Sequence, residues 1–118
     1  MNTENIPFQT IDWQNVPRTE HKGITGTAYW QTIQFGGLRI RVVEYSKNYL
    51  ADHWCQKGHI VYVLEGKFIS ELENGDSFTL TKGMSYVVTD DLSSHRSVTT
   101  EGVKLLIIDG AFLKKVKG

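Results

Sequence analysis

Short apolar segments, each ended by glycine or by a polar turn, follow one another along the chain from Thr27 onward. Most are rich in β-branched and aromatic residues, and several alternate apolar with polar positions, which is typical of strands. The predicted strands cover residues 27–35, 38–45, 60–64, 67–72, 77–81, 84–89, 95–100 and 103–109. About eight short strands with no long amphipathic helix predict an all-β sandwich or barrel.

Turn residues fall between these segments. Gly36-Gly37 separates the first two strands, Glu65-Gly66 is predicted to reverse the chain, and Asn74-Gly75-Asp76 is a strong hairpin signal. Residues 111–117 are predicted to form a short terminal helix or strand.

The first 27 residues differ from the rest. Pro7 and Pro17 discourage regular structure there. The segment is nevertheless too apolar for a free tail, since it contains Ile6, Phe8 and Trp13. We therefore expect a lead-in, residues 1–27, that packs on the barrel or on a partner subunit, followed by a barrel formed by residues 28–118.

Two predicted strands are apolar on both faces, at residues 60–64 and 103–108. One face would fill the barrel. The other must pack on a second sheet or a second subunit, because a solvated face would be more polar. This pattern predicts a homodimer.

Composition narrows the class of protein. The 118 residues are expected to form one soluble, globular domain, with 40% apolar and 22% charged residues. Lys plus Arg and Asp plus Glu each number 13, so the net charge of zero gives no electrostatic reason to expect nucleic acid or a membrane as partner.

The compartment is predicted from two further observations. A single cysteine cannot form an internal disulfide, which favours a reducing environment. The N-terminal residues show neither the basic nor the apolar part of a secretory signal, and no apolar run is long enough to span a membrane. We therefore expect a cytoplasmic protein.

Candidate metal ligands are concentrated in one stretch, Asp52-His53-Trp54-Cys55-Gln56-Lys57-Gly58-His59, which holds two of the four histidines and the only cysteine. In an extended chain, residues two apart point to the same face, so His53 and Cys55 would project together. His59 shares their parity if the backbone stays extended. Two imidazoles and a thiol on one concave surface would suit a transition metal.

This stretch and the glycine turns after it resemble the cupin superfamily of double-stranded β-helix (jelly-roll) barrels. The first cupin motif runs His-x-His, three or four residues, Glu, six residues and Gly. Here the register is His53-x-Cys55, three residues, His59, six residues and Gly66. In the second motif, Gly, Pro-x-Gly and His correspond in spacing to Gly75, Thr81-Lys82-Gly83 and Tyr86. The resemblance covers residues 37–109 and implies a cupin barrel.

A finer resemblance concerns the run Asp52-His53-Trp54-Cys55. It is similar to the motif that names a small group of bacterial cupins, the DHCW-motif cupins, with the last two residues reversed. This likeness specifies the fold more than the function.

The departures from the cupin motifs bear on chemistry. Cys55 stands in place of the second histidine, His59 in place of the glutamate, and Tyr86 in place of the last histidine. The implied site is softer than the usual three histidines and one glutamate, and favours zinc, with copper or nickel as alternatives. His95 is a candidate fourth ligand that would close the site; otherwise it is a loop-end histidine bonded to backbone.

Four other residues have candidate roles in binding or catalysis. Tyr86, at the position of a family ligand, would be a proton donor or a substrate contact, or else a packed strand tyrosine. Arg39 and Arg41 would bind a carboxylate at the barrel mouth, unless they lie on a solvated or subunit-facing edge. Trp54 would form a wall of the pocket or pack beneath it.

Three hypotheses for function follow. In the first, His53, Cys55, His59 and His95 hold a divalent metal that positions a small polar molecule inside the barrel. In the second, the barrel binds a small metabolite without metal and without catalysis. A third hypothesis, a reactive Cys55 thiol, requires a thiolate of lowered pKa.

Overall fold

The computed structural model describes residues 5–114 and 116. Nine strands lie within these residues: β1 (Arg18–Lys22), β2 (Thr27–Phe35), β3 (Leu38–Tyr45), β4 (Tyr49–Leu50), β5 (His59–Leu72), β6 (Ser77–Thr81), β7 (Ser85–Val88), β8 (His95–Thr99) and β9 (Val103–Gly110). Short 3-10 helices occur at Trp13–Asn15 and Ala111–Leu113. The all-β prediction is confirmed. Among the described residues, no helix is long and apolar enough to cross a membrane.

The strands form one curled antiparallel sheet in the order β1-β2-β3-β9-β5-β8-β4, with β6 and β7 also paired to β5. The first half of β5 lies between β7 and β9, and its second half lies between β6 and β8. The sheet closes around a core of apolar side chains, namely Val43, Val61, Val63, Phe68, Leu80, Val103, Leu105 and Ile107. The polar site described below lies on this inner face.

The long strand β5 corrects one sequence prediction. Glu65-Gly66 was expected to reverse the chain, but β5 continues through it with a register shift between Val63 and Glu65 against β9. Gly66 adopts a positive φ of 81°, and a Cβ there would collide with the carbonyl oxygen of Gly102. The bulge bends the strand without ending it, which allows one strand to serve both halves of the barrel.

The described part of the lead-in lies along the edge of the sheet. Residues 18–22, where the prolines predicted irregular structure, instead form β1 and pair with β2. The side chain of Gln31 donates to the carbonyl oxygens of Trp13 (2.6 Å) and Val16 (3.0 Å), which fixes the segment against the sheet. Residues 1–4 of the lead-in, and residues 115 and 117 of the predicted terminal element, lie outside the described residues.

The outer face of the sheet carries an apolar row that crosses five strands. Ile33 pairs with Ile40, Ile40 with Ile108, Ile108 with Ile60, and Ile60 with Val87. Directly paired residues project from the same face of a sheet, so these side chains are neighbours. Ile60 is 37% exposed and Val87 69% exposed. The face at this end of the sheet is therefore apolar and open.

Candidate metal centre

Two backbone hydrogen bonds place Cys55 beside His95. The amide of Cys55 donates to the carbonyl of His95 (2.7 Å), and the amide of His95 donates to the carbonyl of Cys55 (3.0 Å). This isolated antiparallel bridge lies at the start of β8. Residues paired in this way project to the same side, so the thiol and the imidazole share one face.

His59 completes the group from the first position of β5. The three ligand atoms offered by Cys55, His59 and His95 all lie within 4.8 Å of one another. Sγ of Cys55 is 3.5 Å from Nε2 of His59. Both histidines are buried, and Cys55 is half-buried.

Hydrogen bonds fix the tautomer of each imidazole. Nδ1 of His95 lies 2.8 Å from the carbonyl oxygen of Ser93, and Nδ1 of His59 lies 3.0 Å from Oδ2 of Asp109. Carbonyl and carboxylate oxygens only accept, so both Nδ1 atoms carry the proton. Nε2 of each neutral ring is then an acceptor, and both acceptors lie on the side of Cys55. This is the arrangement in which histidine binds metals with an outer hydrogen-bond partner.

The carboxylate of Asp109 joins His59 to two arginines. Arg39 binds it through Nε–Oδ1 and Nη2–Oδ2 contacts of 2.9 Å each, and Nη2 of Arg41 is 3.0 Å from Oδ2. Asp109 is 1% exposed. The register that pairs Ile60 with Ile108 also sets His59 beside Asp109, and Asp109 pairs directly with Arg39.

The charges of the group are mutually dependent. Burial alone would raise the pKa of the Cys55 thiol, but the hydrogen bond from His59 and the nearby His95 imidazole lower it to about 5. Burial would lower the pKa of His59, and the hydrogen bonds to Asp109 and Cys55 raise it instead. Burial likewise opposes ionisation of Asp109, yet the hydrogen bonds from His59 and Arg39 and the charge of Arg41 hold its pKa well below the usual range. The site therefore favours a thiolate at neutral pH.

His53 does not join this group. Asp52 and His53 lie in a bend, so the parity expected from an extended chain fails there. The His53 side chain is 75% exposed, and its Nδ1 lies 2.7 Å from Oδ1 of Asp52. His53 reaches the rim of the cavity, whereas the described cluster consists of Cys55, His59 and His95.

A cavity of about 250 Å³ opens beside the three ligands inside the barrel. Its lining includes Arg39, Arg41 and Tyr86 of the predicted binding residues. Burial raises the pKa of Tyr86, so its hydroxyl stays protonated across the neutral range. The ring of Tyr86 meets that of His95 edge-on, with 5.8 Å between the centroids.

Trp54 is placed differently from the expectation. Its ring lies under the guanidinium of Arg96, with Cζ 4.4 Å from the ring centroid. It is half-buried and is not among the described residues that line the cavity. The structure thus shows Trp54 packing under an arginine, and a role as pocket wall stays a prediction.

Sequence patterns did not single out two residues of the site. Asp109 lies near the end of β9, on the same face as the buried residues Val103, Leu105 and Ile107. A charged residue in this alternating series is the signal that could have identified it. Trp30 lines the cavity beneath Arg41, with the guanidinium carbon 4.6 Å from the ring centroid. No motif singles out Trp30, and a tryptophan on a strand is usually a core residue.

The fold is shared with solved cupin structures. Ectoine synthase from P. lautus has a TM-score of 0.71 at 14% identity, over 87% of this chain and 78% of that one. A cupin-2 domain protein from Rhodospirillum rubrum has a TM-score of 0.68 at 15% identity, over 93% of this chain and 80% of its own. The Fe(II) form of HppE has a TM-score of 0.68 at 16% identity, over 92% and 63%.

No protein-family model and no curated protein matches the sequence. Because the sequence identities are so low, these structural similarities establish the fold alone. This chain folds as a cupin barrel, a double-stranded β-helix with a Cys/His/His group at its centre.

Proposed function

We propose that this protein binds a transition metal on Cys55, His59 and His95 and receives a small polar molecule beside it. The observation that carries the proposal is Nε2 of His95, which is buried and has no hydrogen-bond partner among the described residues. Because Nδ1 donates to Ser93, Nε2 is left as an acceptor without a donor. Such a buried group is costly unless a cation or proton satisfies it.

The distance between Cys55 and His59 fits a shared metal ion. Zn–S and Zn–N bonds of about 2.3 and 2.05 Å at a tetrahedral angle place sulfur and nitrogen about 3.6 Å apart. Sγ of Cys55 and Nε2 of His59 are 3.5 Å apart. Zinc is the first choice for a thiolate with two imidazoles, and copper and nickel are the alternatives.

Three protein ligands leave a coordination position open to the cavity. Sites of this kind are typical of catalytic metals, whereas four protein ligands are typical of structural ones. A metal bound here would act as a Lewis acid or lower the pKa of a bound water. Tyr86, whose hydroxyl stays protonated, would donate a hydrogen bond or a proton to the bound molecule.

The metal-free binding module is the second candidate. The lowered pKa of Cys55 and the raised pKa of His59 favour a thiolate–imidazolium pair at 3.5 Å, which would satisfy both groups without a metal. His95 would remain unpartnered in that state. That unpartnered nitrogen is why we rank the metal-bound state first.

The proposal includes three further features of the protein: its oligomeric state, its place among cupins and its location in the cell. The open apolar row of Ile33, Ile40, Ile108, Ile60 and Val87 supports a homodimer formed through the outer face. The run from Asp52 to Cys55 supports a place among the DHCW-motif cupins. The single cysteine supports a cytoplasmic location.

Elemental analysis of protein purified without a histidine tag tests the metal centre. The wild type should hold close to one equivalent of zinc, copper or nickel, His95→Ala should lose it, and His53→Ala should keep it. His53→Ala is a matched control because it removes the neighbouring exposed histidine. A wild type that stays metal-free after reconstitution would exclude the proposal, as would loss in His53→Ala with retention in His95→Ala.

A further inference from the structure

The cavity beside the candidate metal centre is lined by cationic side chains. Arg39, Arg41, Lys57 and Arg96 line it, and no aspartate or glutamate is among its described lining residues. Arg96 is neutralised from outside the cavity by Glu71, with Nε 2.8 Å from Oε1. Lys57 is exposed to solvent, so the electrostatic character of the cavity depends mainly on Arg39 and Arg41.

One carboxylate serves both of these arginines. Asp109 accepts two hydrogen bonds from Arg39 and one from Arg41, and it also binds His59. Two guanidiniums thus share one carboxylate, and Arg41, unlike the partly exposed Arg39, is buried. Because buried charges are normally paired, the half-shared charge of Arg41 favours a further anion in the cavity.

Arg41 is the arginine with unused hydrogen-bonding capacity. It is 5% exposed, and its Nε is buried with no partner among the described residues. A guanidinium has five N–H donors, and the described hydrogen bonds of the Arg41 side chain use one of them. Arg39, in contrast, already makes a two-point contact with Asp109.

An aromatic ring holds the guanidinium of Arg41 in place. Its Cζ lies 4.6 Å from the centroid of the Trp30 ring, and Trp30 itself stacks on His21 at 3.8 Å. His21 and Arg41 lie on β1 and β3, the strands on either side of β2, which carries Trp30. A planar fork ordered in this way is suited to a carboxylate, which it can bind through two oxygens.

Two tyrosines supply neutral donors, and one of them, Tyr45, lies on β3 as Arg41 does. Tyr45 and Tyr49 line the cavity and stack with ring centroids 4.3 Å apart. Burial raises the pKa of both hydroxyls. Protonated hydroxyls repel an anion less than ionised ones and can donate to it.

We propose that the cavity binds a small carboxylate anion through Arg41, with a second oxygen of the same molecule facing Cys55, His59 and His95. A cavity of about 250 Å³ is below the range for drug-sized ligands, so the ligand is a small metabolite. The carboxylate contact with Arg41 stands without a metal, and only the second contact rests on the proposed metal centre. A divalent ion on one thiolate and two imidazoles would add a further positive charge for the anion to balance.

Calorimetry with malonate and its uncharged diamide, malonamide, tests the inference. Wild-type protein, both metal-free and zinc-loaded, should bind malonate at least about tenfold more tightly than malonamide, because charge-assisted hydrogen bonds favour the carboxylate. Arg41→Gln should weaken malonate binding by about tenfold or more, and Arg41→Lys should weaken it less. Equal affinity for malonate and malonamide would overturn the proposal.

Arg18→Gln is the matched control. Arg18 also lies over an aromatic ring, with Cζ 4.4 Å from the centroid of Tyr29, and it also pairs with a carboxylate, that of Glu44 at 3.4 Å. It is not among the described lining residues of the cavity, so this variant should bind malonate as the wild type does. If Arg18→Gln weakened binding as much as Arg41→Gln, a general charge effect would replace the proposed site.

The experiment also separates this inference from the metal centre. If Arg41→Gln does not fold, the wild-type comparison of malonate with malonamide decides alone. Zinc content measured again after the titration shows whether malonate has removed the metal. Malonate selectivity in a chain that takes up no metal would support the anion site and exclude the metal centre, and a zinc-loaded chain without selectivity would do the opposite.

Discussion

Nδ1 of His59 lies 3.0 Å from Oδ2 of Asp109, deep in the barrel. The two residues lie on β5 and β9, and the carboxylate receives both arginines of β3 as well. The contact fixes the imidazole with its Nε2 toward Cys55. Asp109 therefore positions the candidate ligand His59 and is not itself a candidate ligand. His53 and Asp52 make a similar contact of 2.7 Å at the surface, which gives the chain an internal comparison.

The first prediction concerns this contact. Asp109→Asn should lower metal affinity about 10- to 100-fold, as loss of an outer partner of a metal-bound histidine typically does. It should also cost about 3 kcal/mol or more of unfolding free energy, because Arg39 and Arg41 lose their buried counter-charge. Competition with a metal-chelating dye and urea denaturation measure the two effects.

Asp52→Asn is the control for that substitution. It removes the carboxylate from an exposed histidine that lies outside the Cys/His/His group. Metal affinity and stability should both stay within error of the wild type. Equal losses in the two variants would mean that Asp109 has no particular role in positioning His59.

The second prediction concerns the pH dependence of Cys55. In metal-free protein the rate of alkylation by iodoacetamide should rise with a midpoint near pH 5, since the thiol pKa is lowered to about 5 from its ordinary value of 9.0. His59→Gln should move the midpoint upward, and bound metal should suppress the reaction. A wild-type midpoint between about pH 8 and 9, as for an ordinary thiol, would show that the thiolate is not stabilised.

The same shifts set the direction of stability with pH. A lowered pKa means that the Cys55 thiolate contributes its full stability above the unfolded value and loses it as pH falls through about 5. The pKa of His59 is raised, so its contribution is complete below 6.5 and is lost as pH rises through the folded value. At pH 4 (about one unit below the thiol midpoint) the His59 contribution is complete and the Cys55 contribution is lost. Metal-free protein should therefore be less stable there than near neutrality, which thermal unfolding can measure.

Sequence patterns predicted the strands well because β-branched alternation and glycine turns are local signals. They failed at Gly66, where a positive φ of 81° serves a bulge within β5 and not a reversal. They also failed at His53, because parity arguments assume an extended backbone and Asp52-His53 bends. The partnership of His59 with Asp109 joins residues 50 positions apart, and only the register between β5 and β9 reveals it.

The third prediction tests the bulge. Gly75→Ala, in the β5–β6 hairpin, should cost about 1 kcal/mol, because its φ is 103° but nothing lies within 4 Å of an added Cβ. Gly66→Ala combines a positive φ with a collision against the Gly102 carbonyl, and should cost about 1–3 kcal/mol more. Equal costs, measured by chemical denaturation, would contradict the bulge geometry.

The fourth prediction tests the homodimer. Ile60→Lys places a charge in the outer apolar row and should convert a dimer into a monomer without unfolding it, since Ile60 is 37% exposed. Ile69→Lys is the control, because Ile69 lies on the other half of β5 and is 38% exposed. Light scattering coupled to gel filtration measures the mass. A monomeric wild type, or a dimer that survives Ile60→Lys, would exclude this interface.

The most direct test of the metal centre is the absorption spectrum of the protein loaded with one equivalent of cobalt(II). A thiolate ligand gives an intense sulfur-to-cobalt charge-transfer band, and a four-coordinate ion gives strong visible bands. We predict both in the wild type, loss of the charge-transfer band in Cys55→Ser, and loss of binding when His59 or His95 is also replaced. Cobalt that binds without a charge-transfer band, or a spectrum unchanged in Cys55→Ser, would contradict a metal centre built on Cys55, His59 and His95.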